Sequence, residues 1–314
     1  MTRLLIDCDT GIDDTLAILT AVFDDNTELV GVGAVWGNID VRQAARNSDY
    51  VLQLAGADEV PVALGAAGPL NGDDAVFAAH VHGADGLGGA AVLDHRPALS
   101  GETAVQQMIR LSHEFAGELE IAAIGPLTNL AEALSVDPSI VERIRRVTVM
   151  GGAALVPGNI TAAAEANIWH DPEAAALVFD ASWPVTMVGL DVTMRTAITE
   201  DHHRRLSEGG PVGRYCASIL GHYFDFYTGV RGRRAAANHD ALAVGIAIGQ
   251  VEVMQSATVP VVIDTTVGPD RGRTVADLRG MWADRWDVDG ARHTVVLATE
   301  PGFDDRMIER LASA

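Results

Sequence analysis

Residues Arg3 to Ile18 read RLLIDCDTGIDDTLAI. Leu4–Ile6 is a short apolar run of the kind that forms a buried strand. It leads into four carboxylates, Asp7, Asp9, Asp13 and Asp14. Thr10 and Gly11 supply a turn. Leu16, Ile18, Leu19 and Val22 then recur at helical spacing, which predicts a helix over Asp13–Phe23. The acids therefore fall at the carboxyl end of a strand and the amino end of a helix. Open α/β sheets bind their ligands there, and a helix amino terminus favours negative charge. Four acids at one turn repel each other, and a bound hard cation with several oxygen ligands is the simplest remedy. A single acid at such a turn is often only a cap, but four exceed what capping needs.

The same alternation continues along the chain. Strand-like runs appear at Glu28–Val35, Val60–Ala63, Leu119–Ala123, Val147–Met150 and Val185–Val188. Helical patterns appear at Val41–Leu54, Glu102–Glu114, Leu127–Leu134, Pro172–Phe179, Val212–Tyr227 and Ala241–Ile248. This predicts an α/β fold with a mainly parallel open sheet flanked by helices. Later strand-rich text at Ala257–Asp264 and His293–Leu297 predicts a small antiparallel extension, as an edge or a hairpin, before a closing helix near Phe303–Leu311. No linker divides the 314 residues, so one domain over 1–314 is expected.

Bulk composition narrows the function. The net charge is −21, which argues against nucleic-acid and anionic-membrane partners, since both need a basic surface. A small neutral or cationic substrate fits better. No apolar run approaches the roughly 20 residues of a membrane span, and the amino terminus does not read as a signal peptide, so a cytoplasmic protein is expected. The two cysteines, Cys8 and Cys216, allow no disulfide framework beyond one bond, and none need exist. The sequence contains no lysine, which excludes Schiff-base chemistry and the P-loop lysine.

Three readings of the acidic turn compete. An EF-hand loop fails, because Gly11 stands fifth rather than sixth and a strand precedes it. A metal-dependent phosphohydrolase with its nucleophile in an Asp-x-Asp motif matches Asp7–Cys8–Asp9, but it wants Thr or Val at Gly11 and a later lysine. A Ca²⁺ site beside a carboxylate base is the third. Two further constellations bear on the choice. Asn159, Glu165 and Asn167 lie in PGNITAAAEANIWHDPEAA, where amides and a carboxylate suit the hydroxyls of a polyol. His170–Asp171–Pro172 in that stretch reads as a helix start with Asp171 as its cap. His239–Asp240 opens an apolar helical run and offers an imidazole beside a metal-ligating acid. A non-catalytic ribose- or Ca²⁺-binding protein would use the same groups. Trp36, next to Asn38, is a base-pocket candidate, although a core position is the better reading for it and for Trp169.

Together these motifs resemble the nucleoside hydrolases, the inosine–uridine-preferring purine and pyrimidine nucleoside N-ribohydrolases. The resemblance runs almost end to end, over DCDTGIDD at Asp7–Asp14, VWGN at Val35–Asn38, HVHGADGLG at His80–Gly88, IGPLTNLA at Ile124–Ala131, VMGG at Val149–Gly152, GNITAAAEANI at Gly158–Ile168 and NHD at Asn238–Asp240. It implies Ca²⁺-dependent hydrolysis of ribonucleosides, with Asp9 as general base and metal contact. It implies Asp14, Asp240 and the Ile124 carbonyl as further ligands. Asp13, Asn159, Glu165 and Asn167 match the ribose-holding residues, with Asn38 in the same pocket. His239 matches the histidine beside the leaving base, His82 falls in a loop that closes over it, and Tyr223 and Tyr227 fall where some members carry aromatic residues. Asp7 is expected to support the others. The resemblance also implies a homo-oligomer, tetramer or dimer, and His239 leans toward broad or pyrimidine-accepting specificity. Thr10 departs from the proline that many members carry, and residues 153–157 and 229–237 are less recognisable.

Overall fold

A computed structural model describes residues 1–283 and 285–314. The main sheet has nine strands. They are β1 (Thr2–Cys8), β2 (Thr27–Ala34), β3 (Val62–Leu64), β4 (Leu99–Thr103), β5 (Leu119–Ala123), β6 (Ile144–Met150), β7 (Val185–Val188), β8 (Val253–Val259) and β9 (His293–Thr299). Their order across the sheet is β8-β9-β7-β6-β5-β1-β2-β3-β4. Every neighbouring pair is parallel except β8 with β9, which is antiparallel. The longer helices are α1 (Ile12–Val22), α2 (Val41–Leu54), α3 (Ala104–Glu114), α4 (Thr128–Val136), α5 (Pro172–Asp180), α6 (Glu200–Ser207), α7 (Pro211–Arg231), α8 (Asp240–Ala247) and α9 (Phe303–Ser313). None of the helices is long and apolar enough to cross a membrane among the described residues.

The strand order turns back on itself beside β1. The chain runs outward from β1 through β2, β3 and β4, then returns to lay β5 on the other side of β1. The loops leaving β1 and β5 therefore diverge, and a crevice opens between them at the carboxyl ends of the strands. Leu4, Leu5 and Ile6 at the centre of β1 are wholly buried. Burial of such side chains contributes roughly 1.5–3 kcal/mol each, which is why three consecutive apolar residues form a central strand and why the acids beyond them are fixed at a rigid edge. Two apolar clusters form the core. One joins Leu4 and Ile6 to α1, α7 and α8, and the other joins Leu5 to Ile121, Val147, Val149 and Val185.

The expected α/β sheet is present, and α2 spans the expected residues. The late strand-rich text differs in one respect. Ala257–Asp264 is not one strand, because Pro260 separates β8 from a short strand, Val261–Ile263, that pairs antiparallel with Thr274–Ala276 in its own hairpin. Proline has no N–H to give a continuing ladder. The expected edge and the expected hairpin both occur, and β9 joins the main sheet in parallel beside β7. Residues 99–103 form the edge strand β4, which the sequence reading assigned in part to a helix. The helix starts later because Thr103 caps it, accepting from Gln106 N at 3.2 Å while the Gln106 side chain accepts from Thr103 N at 2.9 Å.

Candidate active site

The acidic turn after β1 is held from both sides. Asp14 Oδ2 accepts from Gly11 N at 2.8 Å and from Asn38 Nδ2 at 3.1 Å, while Asp9 Oδ2 accepts from Asn38 N at 2.6 Å. Asn38 thus ties the loop after β2 to both acids. Thr10 is compatible with this turn, since its buried hydroxyl pairs with Ser48 Oγ at 2.6 Å and its carbonyl accepts from Asn47 Nδ2 at 3.0 Å. Asp7 stays within the sheet and takes a bond from Asn129 Nδ2 at 2.8 Å. A side chain at Gly37 would collide with the Asp9 carboxylate, so the close approach of this loop requires glycine.

Asp240, the first residue of α8, completes a trio. Carboxylate oxygens of Asp13, Asp14 and Asp240 lie within 4.8 Å of one another, and all three residues are buried. Asp13 Oδ1 and Asp14 Oδ1 have no hydrogen-bond partner. Burial, then repulsion from Asp13, pushes the Asp14 pKa up to about 7. Burial and the neighbouring carboxylates likewise hold Asp9 and Asp240 well above the usual carboxylate range. Buried charges of one sign with unpartnered oxygens are costly unless something positive pairs with them. The donor set is all oxygen, which suits a hard cation such as Ca²⁺.

Above the acids lies a cavity of about 360 Å³. Asp13, Asn38, His82, Ile124, Asn159, Glu165, Asn167, Tyr223, Tyr227, His239 and Asp240 all line it. One wall is the turn before the short helix Ala166–His170. Glu165 caps that helix, accepting from Asn167 N at 3.0 Å and Ile168 N at 3.2 Å, and it also accepts from Gly152 N at 3.0 Å. Asn159 Oδ1 accepts from Ala166 N at 2.9 Å, which turns its amino group outward. Asn167 Nδ2 donates to the carbonyls of Ile124 at 2.9 Å and Met150 at 3.1 Å, which leaves its Oδ1 for a ligand. Amide donors, amide acceptors and a carboxylate thus face one space, the set that hydroxyl groups need.

The opposite end is aromatic and comes from α7. Tyr223 donates from its hydroxyl to Asp13 Oδ2 at 2.9 Å. The Tyr227 hydroxyl pairs with His239 Nε2 at 2.6 Å. The His82 ring lies 5.5 Å from that of Tyr223, and its Nδ1 accepts from Ile12 N at 3.2 Å. Burial pushes His82 down to about 3 and His239 down to about 4, so both rings are neutral at pH 7. The same burial holds both phenols protonated.

The sequence-expected residues are therefore gathered at one place. Asp9 lies just outside the close carboxylate trio, beside Asp14 and bonded to Asn38 N. Asp13, expected to hold hydroxyls, lines the cavity and is also a member of that trio. Trp36 is no base-pocket wall. It is buried, its Nε1 donates to Thr128 Oγ1 at 3.1 Å, and it packs edge-on behind His170. His170, read only as part of a helix start, lines the cavity, while Asp171 caps α5 as expected. Sequence reasoning also missed Met150, His80 and Phe226 on the wall. It missed Asp191 too, whose carboxylate accepts from Ala154 N at 2.8 Å and Leu155 N at 2.7 Å and anchors the loop that carries Asn159. Of these, His80 and Met150 carried a local signal, their places in the HVHGADGLG and VMGG motifs.

Residues 4–300 match the family described as inosine-uridine preferring nucleoside hydrolase. The inosine-uridine preferring nucleoside hydrolase of Crithidia fasciculata is 38% identical over 281 residues, covering 88% of each chain. A plant nucleoside hydrolase structure, the PpNRh1 enzyme, superposes with a TM-score of 0.91 at 30% identity, covering 100% of this chain and 99% of the other. A purine-preferring ribonucleoside hydrolase from Gardnerella vaginalis superposes with a TM-score of 0.89 at 30% identity, covering 99% and 98%. These comparisons give the phosphohydrolase reading no support. A sheet whose reversal point carries buried acids beside a wall of amides and a carboxylate suits a sugar-cleaving hydrolase, and the chain belongs to the inosine-uridine preferring nucleoside hydrolase family, as a nucleoside N-ribohydrolase.

Proposed function

We propose that the whole chain works as one unit that cleaves the N-glycosidic bond of ribonucleosides in a Ca²⁺-dependent reaction, releasing ribose and the free base. The observation that carries this is the trio Asp13, Asp14 and Asp240, with two buried oxygens left unpartnered, at the base of a cavity lined by Asn159, Glu165 and Asn167. Asp13, Asp14, Asp240 and the Ile124 carbonyl would hold the cation, with Asp9 adjoining. When bound, Ca²⁺ supplies a template for vicinal hydroxyls and acidifies a coordinated water.

The chain's own residues do the rest. Asp9 accepts the proton of the attacking water; a positioned base of this kind is worth on the order of 10²–10⁴ in rate. Asn159, Glu165 and Asn167 grip the ribose hydroxyls and fix the sugar against that water. The surrounding carboxylates stabilise positive charge as it develops on the sugar in an oxocarbenium-like transition state. At the other end, Tyr227 and His239 hydrogen-bond or protonate the departing base, while His82 and Tyr223 close that end of the pocket. No tryptophan lines the cavity among the described residues, and tyrosine and histidine can meet either kind of base through hydrogen bonds. Broad acceptance that includes pyrimidines follows as the base preference. Family resemblance extends the proposal to a cytoplasmic homo-oligomer, dimer or tetramer, acting on a small ribonucleoside, which light scattering and cell fractionation test.

The deciding experiment is a panel of inosine, adenosine, uridine and cytidine, with chelator and then with Ca²⁺ or Mg²⁺ restored, scored for free ribose. The expected result is chelator-sensitive release from both purine and pyrimidine ribonucleosides, restored best by Ca²⁺. Full activity in chelator refutes the metal dependence, and release from purines alone refutes the base preference.

A further inference from the structure

We infer that Thr193 is a positioning residue for the leaving-group end of the site: its hydroxyl fixes the tautomer of His239 and thereby frees the Tyr227 proton for the departing base. Thr193 closes the short helix Leu190–Thr193, outside every motif that the sequence reading singled out. It is wholly buried, and its Oγ1 lies 2.8 Å from His239 Nδ1. Among the described residues this is the only hydrogen-bond partner of that hydroxyl. The backbone around it is already committed, since Thr193 N donates to Gly189 O at 3.2 Å and Thr196 Oγ1 donates to Thr193 O at 2.6 Å.

A buried O–H left without an acceptor is strongly unfavourable. The hydroxyl therefore donates, and Nδ1 accepts. A neutral imidazole that accepts at Nδ1 carries its hydrogen on Nε2. Nε2–H then donates to the Tyr227 oxygen 2.6 Å away, so the phenol need not spend its own hydrogen on the histidine. Tyr227 lines the cavity beside Tyr223, so a phenol proton not spent on the histidine can pass to a base bound there. The opposite tautomer would make Nε2 an acceptor and draw the Tyr227 proton away from the substrate. Asn238 keeps the segment in register, since Asn238 N donates to Thr196 Oγ1 at 2.8 Å and Asn238 Nδ2 donates to Asp304 Oδ1 at 2.8 Å.

The step balances. The C1′–N bond breaks with its electron pair passing to the base, and the Tyr227 proton goes to that nitrogen. Nε2–H of His239 stabilises the phenolate that results. Water adds its oxygen to C1′ and gives its proton to Asp9, and exchange with solvent returns both groups to their starting state.

The inference rests on the leaving-group role proposed above for Tyr227 and His239, and the test separates the two. Thr193→Val, Thr193→Ser and Tyr227→Phe are compared on uridine and on 4-nitrophenyl β-ribofuranoside, whose leaving group departs as an anion without a proton. Thr193→Val is expected to lower kcat on uridine tenfold or more with KM changed less than threefold, and to lower kcat on the nitrophenyl riboside less than threefold. Thr193→Ser is expected to recover uridine turnover to within threefold of wild type. A ¹⁵N–¹H spectrum of histidine-labelled wild type is expected to show His239 as the Nε2–H tautomer, with that signature lost in Thr193→Val. Equal losses on both substrates, or wild-type turnover of uridine by Thr193→Val, overturn the inference. If Tyr227→Phe loses uridine turnover while Thr193→Val does not, only the role of Thr193 falls. If Tyr227→Phe turns over uridine like wild type, the leaving-group reading falls and the inference with it.

Discussion

Asp14→Asn should make the cation-free protein more stable while destroying its response to Ca²⁺. Asp14 is wholly buried, and burial together with the Asp13 charge raises its pKa from 3.8 to about 7. The sign follows from linkage. Between those two values the native state holds a proton that the unfolded state has lost, so stability contributed by this group falls as pH rises from about 4 to 7. At about 1.4 kcal/mol per unit, keeping the carboxylate ionised at pH 8 costs up to about 4 kcal/mol, a penalty shared with Asp13. Asparagine removes the charge, keeps an oxygen for Gly11 N, and turns its amino group toward the acids. In chelator at pH 8 the variant should therefore unfold at higher urea than wild type, by the equivalent of about 1–4 kcal/mol. Ca²⁺ at about 100 times its Kd should add about 2.7 kcal/mol to wild type and far less to the variant, so the order of stability converges or reverses. Tryptophan fluorescence reads the urea midpoint, and ribose release reads activity, which the variant should lose. If Asp14→Asn is the less stable protein in chelator, or if Ca²⁺ raises both midpoints equally, the electrostatic reasoning about this cluster is refuted.

Three further outcomes are expected. Asp9→Ala should lower turnover by at least on the order of 10²-fold while keeping much of the Ca²⁺-induced rise in urea midpoint, because the close trio does not include Asp9; wild-type-like kcat would remove Asp9 as base. Uridine and inosine should be cleaved much faster than their 2′-deoxy forms, measured as kcat/KM, since the wall of Asn159, Glu165 and Asn167 is built for hydroxyls; equal rates would contradict it. Gly37→Ala should cost tenfold or more in kcat, because the added methyl would sit against Asp9 Oδ2 and 2.8 Å from Pro126 Cδ, at a φ of +153° that favours glycine; unchanged kinetics would show that Asp9 needs no close support from that loop.

Much of the site was legible because the chemistry is local in the chain. Asp9, Asp13 and Asp14 lie in one turn, and strand-then-helix periodicity was enough to place that turn at the carboxyl edge of a sheet. Asn159, Glu165 and Asn167 were legible for the same reason, being amides and an acid within one loop. What could not be read was which acid meets which. Asp13 joins Asp14 and Asp240 in the close trio, while Asn38, from the loop after the second strand, takes hold of Asp9. Trp36 lies two residues before Asn38, but its side chain points to the core and bonds Thr128. The edge strand at residues 99–103 was hidden because its residues carry no apolar alternation and are largely exposed.

The sequence alone determined that this is a parallel α/β protein with an acidic edge suited to a cation, because hydrophobic period and turn chemistry are properties of neighbouring residues. Only the tertiary structure decided the partners of those acids and the far end of the pocket. Asp240 reaches Asp13 and Asp14 across more than 200 residues of chain, and Tyr223, Tyr227, His239 and Thr193 meet only when α7 and α8 pack against the first helix. Contacts of that kind depend on how buried faces fit together, and no local pattern of residues encodes them.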